Sequence, residues 1–295
     1  MVSHRGLFVK LIERSVPIVF LNILIYWLSN LSSQCRWRAS LSRVFPVTSG
    51  VKQGGILSPN LFNIYTNDIF MLLRKSGLGC HINSIFLGAI MFADDIVLVA
   101  PTRGSMQRLL ELSECFCRDH GLVFNTAKTK SMLFGKGFLT LNPSPLILNN
   151  EPVEYVSEWK YLGCLINSGK EFAFSCKSDL SAFRRSANSI VSSVRKPNEQ
   201  VLMKLLYSFS VPILTYASEI KEFSYSDMND CNVALNDAIR RIFSYNRWES
   251  IRTLRKQLGY NDLTTIFAIR RRKFYAKIPH MHNETVLALY YCISQ

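Results

Sequence analysis

The sequence predicts an α+β protein in two parts, with a change of character near residue 168. Three observations lead there. Up to Ile166, short runs rich in Ile, Val, Leu and Phe are bounded by Gly, Pro, Asn and Asp, the pattern of strands and tight turns. Between them lie longer stretches with apolar residues three and four apart, as in amphipathic helices. After Gly169 helical spacing takes over almost throughout. The expected domains are residues 1–168 and 169–295.

In chain order, Leu7 to Leu31 reads as two helical stretches broken at Ser15-Val16-Pro17. The run Val16 to Leu28 follows basic residues and imitates a membrane anchor, but its 13 residues fall short of the roughly 20 needed to span a bilayer. We read it as a buried helix opened by Pro17. Arg36 to Val51 alternates as a short hairpin, Cys35-Arg36-Trp37-Arg38 and then Val44-Phe45-Pro46-Val47, ended by Gly54-Gly55. Ser58-Pro59 is a helix entry, with Ser58 as N-cap and Pro59 at the first helical position. That helix runs to about Lys75, with Leu61, Ile64, Tyr65 and Ile69 on one face. Two buried strands flank Asp94-Asp95. A helix follows from Ser105 to His120, with Gly121 as its C-cap. Ser131–Phe134 is a strand and Gly135–Pro145 a loop. Leu146–Leu148 and Val153–Tyr155 form a hairpin around Asn149-Asn150. Trp159–Ile166 is a strand, and helices are expected near residues 171–194, 198–217, 226–244 and 263–277.

The chain has 295 residues, 48% of them hydrophobic, enough for one sizeable core or two. Its formal net charge of +14 favours a polyanionic partner. The excess is concentrated: from Lys177 to Lys277 there are 18 Lys and Arg against 9 Asp and Glu. Arg270-Arg271-Arg272-Lys273 is its densest cluster, to be read as a phosphate contact, a solvated face or a nuclear-import signal. The eight cysteines are scattered and form no CxxC pair, which argues against a structural zinc site; their even number suggests disulfides, but a basic chain of this size without a secretory leader points to a reducing compartment. We expect an intracellular protein, in cytoplasm or nucleus, that does not enter a membrane.

The residues most suggestive of chemistry are Asp94 and Asp95, set between the apolar runs Gly88–Ala93 and Ile96–Ala100. Two like charges at an apolar hairpin tip resist desolvation, and a divalent cation relieves them. A plain solvated turn is the competing reading. Gly54 and Gly55 allow close backbone approach to a ligand, or simply make a turn. Lys128 and Lys130 are phosphate-facing or ordinary surface charges. Trp159 and Tyr161 share a strand face and either stack on a ligand or fill the core.

Order and spacing weigh the alternatives. Ser49-Gly50-Val51-Lys52-Gln53-Gly54-Gly55-Ile56-Leu57-Ser58-Pro59 precedes Phe92-Ala93-Asp94-Asp95. Then come His120-Gly121-Leu122-Val123-Phe124-Asn125 with Lys128-Thr129-Lys130, and Trp159-Lys160-Tyr161-Leu162-Gly163. As a set, from about Val2 to about Ile166, this resembles the reverse transcriptase of non-LTR, LINE-type retrotransposons. The resemblance implies a right-hand polymerase palm, an antiparallel sheet with packed helices, followed by a helical thumb. It implies RNA-templated DNA synthesis by two-metal nucleotidyl transfer, with Mg2+ or Mn2+ on Asp94 and Asp95. Gln53, Gly54, Gly55, Pro59 and Phe92 (where the family more often has Tyr) then meet template and incoming nucleotide. One of Lys128 and Lys130 assists the leaving pyrophosphate, and Trp159, Tyr161, Leu162 and Gly163 form the primer grip. Partners would be an RNA template, a DNA primer and deoxynucleotides, with the oligomeric state open.

One departure accompanies the match. The family carries a third carboxylate in a segment like Phe-Asp-x-Val-x-His, whose tail resembles Val2-Ser3-His4; no Asp or Glu precedes Glu13. We expect a palm and thumb lacking the fingers and the first metal ligand, bound weakly by metal and inactive or weak in catalysis. The alternatives are a non-catalytic nucleic-acid-binding remnant and a domesticated, maturase-like RNA-binding protein.

Overall fold

In the computed structural model, residues 2–135, 144–193 and 198–293 are described. They divide into two compact units, one from Met1–Ser131 and Asn142–Tyr155, the other from Met132–Leu141 and Val156–Gln295.

The first unit opens with α1 (His4–Glu13) and α2 (Ile18–Ser29), separated as expected around Pro17. Ser3 caps α1 by accepting from the Gly6 amide. Strand β1 (Ser32–Ser33) pairs with β4 (Phe45–Pro46) and β2 (Arg36–Trp37) with β3 (Ser40–Leu41), so the two strands expected to pair with each other, around Arg36–Trp37 and Phe45–Pro46, each take a different partner. Next come α3 (Ser58–Lys75), the hairpin β5 (His81–Ile82) with β6 (Ile85–Phe86), and the hairpin β7 (Ala89–Phe92) with β8 (Asp95–Leu98). Then α4 (Arg103–Asp119) is capped by Thr102 and stopped at Gly121, whose φ of +64° favours glycine. Strand β9 (Lys130–Ser131) pairs in parallel with β11 (Glu151–Tyr155), which pairs antiparallel with β10 (Leu146–Leu148). Three apolar clusters hold this unit. Leu7, Leu11 and Leu21 pack with Leu61 and Tyr65; Ile69, Leu73 and Ala89 with Leu109; and Leu110 with Leu146, Leu148 and Val153.

The second unit begins with a three-stranded antiparallel sheet, β12 (Glu158–Tyr161), β13 (Cys164–Asn167) and β14 (Ala173–Ser175). The helices α5 (Lys177–Ser193), α6 (Glu199–Leu205), α7 (Val211–Thr215), α8 (Tyr225–Ile242), α9 (Arg252–Gln257), α10 (Leu263–Lys277) and α11 (Glu284–Ile293) follow. Phe183, Met203, Leu206, Leu235, Ile239 and Leu263 are fully or nearly fully buried in its single core.

The α+β class and most elements match expectation, with five corrections besides the strand pairing near Arg36 and strand β14, which takes residues 173–175 from the helix expected near 171–194. The strands form small separate ribbons and sheets instead of one antiparallel sheet, because most are only two to four residues long. Trp159–Ile166 is a hairpin, since Leu162 and Gly163 both take positive φ (44° and 80°) and reverse the chain. Ser58 does not cap α3: its hydroxyl donates to the Lys52 carbonyl at 2.5 Å, and the cap position falls to Leu57. Helix α2 is not buried. Leu21 and Leu28 are covered, but Ile18, Val19, Phe20, Ile23 and Tyr26 are each about 60–75% exposed. The strands at the Asp pair are not fully buried either: Ala89 is, but Ile90 and Phe92 are exposed. Most of the loop expected at Gly135–Pro145, residues 136–143, lies outside the described residues. Among the described residues no helix is long and apolar enough to cross a membrane.

Candidate polymerase site

The paired carboxylates sit at a two-residue turn. Phe92 pairs with Asp95 across the β7–β8 hairpin, leaving Ala93 and Asp94 as the loop. Two-residue hairpin loops of this kind need positive φ at the first position, where glycine is favoured. Ala93 adopts φ +53° instead, a conformation that costs an L-residue about 1–2 kcal/mol. Ala93, Asp94 and Asp95 are all exposed, and Phe92 is 62% exposed beside them. The tip therefore offers two carboxylates and an aromatic face to solvent. Among the described residues no group of three or more His, Cys, Asp or Glu side chains could hold a metal. Asp68, the nearest other carboxylate in sequence, does not complete a set. It is held by the Lys10 ammonium and by Arg14, which also donates to the Ile64 carbonyl.

The Gln53 loop is braced at both ends. Upstream, the Gly50 amide donates to the Val2 carbonyl at 2.7 Å, and His4 Nε2 donates to the Gly50 carbonyl at 2.8 Å. Downstream, the Lys52 carbonyl accepts from the Gly55 amide as well as from Ser58 Oγ. A Cβ at Gly55 would lie 2.6 Å from that oxygen and 3.1 Å from the Lys52 carbonyl, so glycine is required there by close approach. Gly54, with φ +77°, is open on all sides. Gln53, Gly54 and Pro59 are exposed, so the loop presents its polar side chain and bare backbone outward from the start of α3.

The two candidate lysines differ. Lys130 Nζ is 2.6 Å from the Glu154 carboxylate, its register partner on β11, and is mostly covered. Lys128 ends a 3-10 turn, Thr126–Lys128, capped by the Asn125 side chain accepting from the Lys128 amide. Its side chain is exposed, with no acidic partner among the described residues. Thr126 is itself tied to Glu151 through a short hydrogen bond.

These residues all lie in the first unit; Trp159, Tyr161, Leu162 and Gly163 lie in the second. Trp159 is 37% exposed and Tyr161 is half-buried on β12. The Tyr216 hydroxyl donates to the Leu162 carbonyl at 2.9 Å, and its ring lies 3.0 Å from where a Cβ on Gly163 would be. Lys221, wholly buried, stands over the Tyr216 ring and pairs with Asp179 at 2.7 Å. Tyr216, Lys221 and Asp179 escaped sequence reasoning because they are 42 to 54 residues from their partners and no local pattern marks them. His4 and Ser58 were missed as loop braces for a different reason: sequence reading gave each another role, His4 as the tail of the family segment and Ser58 as a helix cap.

Comparison with known proteins adds an independent line. A model of the family described as reverse transcriptase (RNA-dependent DNA polymerase) matches residues 1–166. The chain is similar to the retrovirus-related Pol polyprotein from type-1 retrotransposable element R2 of Nasonia vitripennis, 27% identical over 175 residues, which are 57% of this chain and 17% of that protein. It is 34% identical over 129 residues to the Pol polyprotein from type-2 retrotransposable element R2DM of Drosophila melanogaster, covering 41% of this chain and 12% of that one. It is 26% identical over 183 residues to the probable RNA-directed DNA polymerase from transposon X-element of the same fly, 58% of this chain and 18% of that protein. The chain thus spans only a small part of the length of these relatives.

Proposed function

The chain belongs to the reverse transcriptase (RNA-dependent DNA polymerase) family, of the non-LTR retrotransposon kind, and on that premise we propose that residues 1–168 form part of a catalytic palm and residues 169–295 a thumb. The substrates in this reading are an RNA template, a DNA primer and deoxynucleotides. The observation that carries it is the hairpin tip Phe92–Asp95, where two adjacent carboxylates face solvent on a strained, two-residue turn.

The chemistry of the donor set fits a hard divalent cation: two carboxylates suffice for magnesium, which keeps several waters and takes further oxygens from substrate phosphates. When bound, such cations activate the primer hydroxyl and stabilise the leaving oxygens of an in-line displacement. This chain's own residues supply the positioning. Asp94 and Asp95 offer carboxylate oxygens at the tip. Phe92 lends the nucleotide pocket an apolar wall. The braced loop at Gln53, Gly54 and Gly55, with Pro59 behind it, meets template and nucleotide through bare backbone. We assign the leaving-group role to Lys128, because Glu154 already engages Lys130. The Trp159–Gly163 hairpin holds the primer, and the cation-rich helices give salt-dependent, sequence-tolerant affinity for an RNA–DNA duplex. The protein works inside the cell, where its substrates are.

The 295 residues by themselves supply two of the family's three carboxylates. Removing a preorganised charge-stabilising group typically costs 10²–10³-fold in rate, so a polypeptide of these residues alone is expected to be weak or inactive. A second reading, a nucleic-acid-binding remnant without catalysis, rests on the 18 Lys and Arg against 9 Asp and Glu from Lys177 to Lys277. Primer extension separates the two. After circular dichroism and a melting curve establish folding, the 295-residue chain is compared with one extended upstream by a segment carrying an aspartate in the family order before Val2. Extension should appear only in the longer chain and vanish with Asp94→Asn and Asp95→Asn. Robust synthesis by the folded 295-residue chain rejects the weakness argument, and none from the longer chain favours the remnant.

A further inference from the structure

Helix α10 carries its cations on more than one side, and one side lines a cleft of about 380 Å³ inside the second unit. Arg270, Lys273 and Lys277 line it at helix positions i, i+3 and i+7, with Phe274 among them and Ile220 and Glu219 also in the lining. At 1.5 Å rise per residue the three cations span about 10.5 Å of helix axis. The cleft is braced from behind. Arg271 donates to the Lys221 carbonyl at 2.8 Å, and the buried Lys221 ammonium is fixed by Asp179. Ile220 is 53% exposed and Phe274 half-buried, so an apolar floor remains open between the charges. Three cations face one acid there, and that acid is engaged: Glu219 Oε1 is 2.8 Å from Arg270 Nε. Lys273 and Lys277 have no acidic partner among the described residues.

We propose that this cleft binds a single-stranded nucleic-acid segment, with Lys273 and Lys277 on backbone phosphates, a base against Phe274, and Arg270 passing from Glu219 to a phosphate as the strand enters. Charge alone attracts any polyanion, and a duplex presents mainly its phosphates to a surface. An apolar, aromatic floor beside a row of cations is useful only to a strand whose bases are free to stack. The inference goes beyond the duplex contact proposed above and stands on the cleft alone.

The test uses fluorescence anisotropy of the full 295-residue chain with a labelled single-stranded DNA oligonucleotide and a blunt duplex of the same length, between about 50 and 200 mM salt. Phe274→Ala should weaken single-strand binding about fivefold or more, the scale of one lost stacking contact, while duplex affinity changes less than twofold. Lys273→Ala and Lys277→Ala should each lower the single-strand salt slope by about 0.7. Glu219→Gln should tighten binding, the opposite sign from a folding defect. Arg272→Ala removes an exposed charge that does not line the cleft and should leave the strand's affinity nearly unchanged. Melting curves accompany each variant, and Phe274→Leu, which keeps apolar volume without a stacking face, replaces Phe274→Ala if that variant unfolds. Equal losses on strand and duplex, no loss with Phe274→Ala or Phe274→Leu, or an Arg272→Ala effect matching Lys273→Ala would overturn the proposal. Absence of duplex binding by the parent chain, with strand binding intact, would count against the thumb reading and not against this one.

Discussion

Replacing Gly163 by alanine tests how the Trp159–Gly163 hairpin is held. Gly163 sits at φ +80°, where an L-residue costs about 1–2 kcal/mol. The added methyl would also lie 3.0 Å from Tyr216 Cε1, closer than ordinary contact. Tyr216 is 52% exposed and can swing away, but doing so breaks its hydrogen bond to the Leu162 carbonyl, worth about 0.5–1.5 kcal/mol. The expected total is about 1.5–3.5 kcal/mol, or roughly 3–14 °C in Tm at 2–4 °C per kcal/mol for a unit of this size. Calorimetric melting reads the loss, and amide exchange of β12 and β13 localises it. A double-mutant cycle with Tyr216→Ala separates the terms. The backbone cost should persist, while the ring-dependent part disappears as a coupling of about 0.5 kcal/mol or more. A Gly163→Ala variant melting within 1 °C of the parent, or strictly additive substitutions, would refute the claim that Tyr216 packs the turn into place.

Two other outcomes follow. Titrating magnesium or manganese into the chain should give weak heats that vanish when Asp94→Asn and Asp95→Asn are combined; equal heats in both proteins would remove the hairpin tip as a cation site. Burial pushes the thiols of Cys117 and Cys231 up to about 11 and that of Cys176 to about 12, against an ordinary 9.0. Their contribution to stability is therefore complete below about pH 9 and is lost as pH rises toward 11–12, because the unfolded chain deprotonates first. The urea midpoint should be lower at pH 10 than at pH 8, and Cys231→Ala should flatten that dependence; an unchanged slope would show that other groups cause it.

Much of the backbone was legible because its signals are local. Pro17 splits the first helices, Gly121 stops α4, and Asn149-Asn150 takes the positive φ pair (51° and 63°) that turns β10 into β11. The adjacency of Asp94 and Asp95 placed them at a hairpin tip, where the structure also has them. Turns built on non-glycine residues were harder. Leu162, at φ 44°, looks like a strand residue, and only the neighbouring Gly163 hints at reversal. Helix α2 failed for a related reason. When nearly every position is apolar, hydropathy says that some face is covered but not which, and in this unit Leu21 and Leu28 are the covered positions. Long-range commitments left no trace at all: nothing near Asp68 announces that Lys10, 58 residues earlier, already holds it.

The exposure of the hairpin tip also changes why a cation should bind there. Two carboxylates at the end of buried strands demand one, since burial of like charges is costly. With Asp94 and Asp95 in contact with water, that cost is small: two unit charges about 4 Å apart repel by only about 1 kcal/mol in water, and salt screens them further. Repulsion within the pair therefore does not drive metal binding in the chain alone. Affinity must come from coordination, and magnesium sites of this kind are completed by substrate phosphates. In the proposed reading the carboxylates are one half of a site whose other half arrives with the nucleotide.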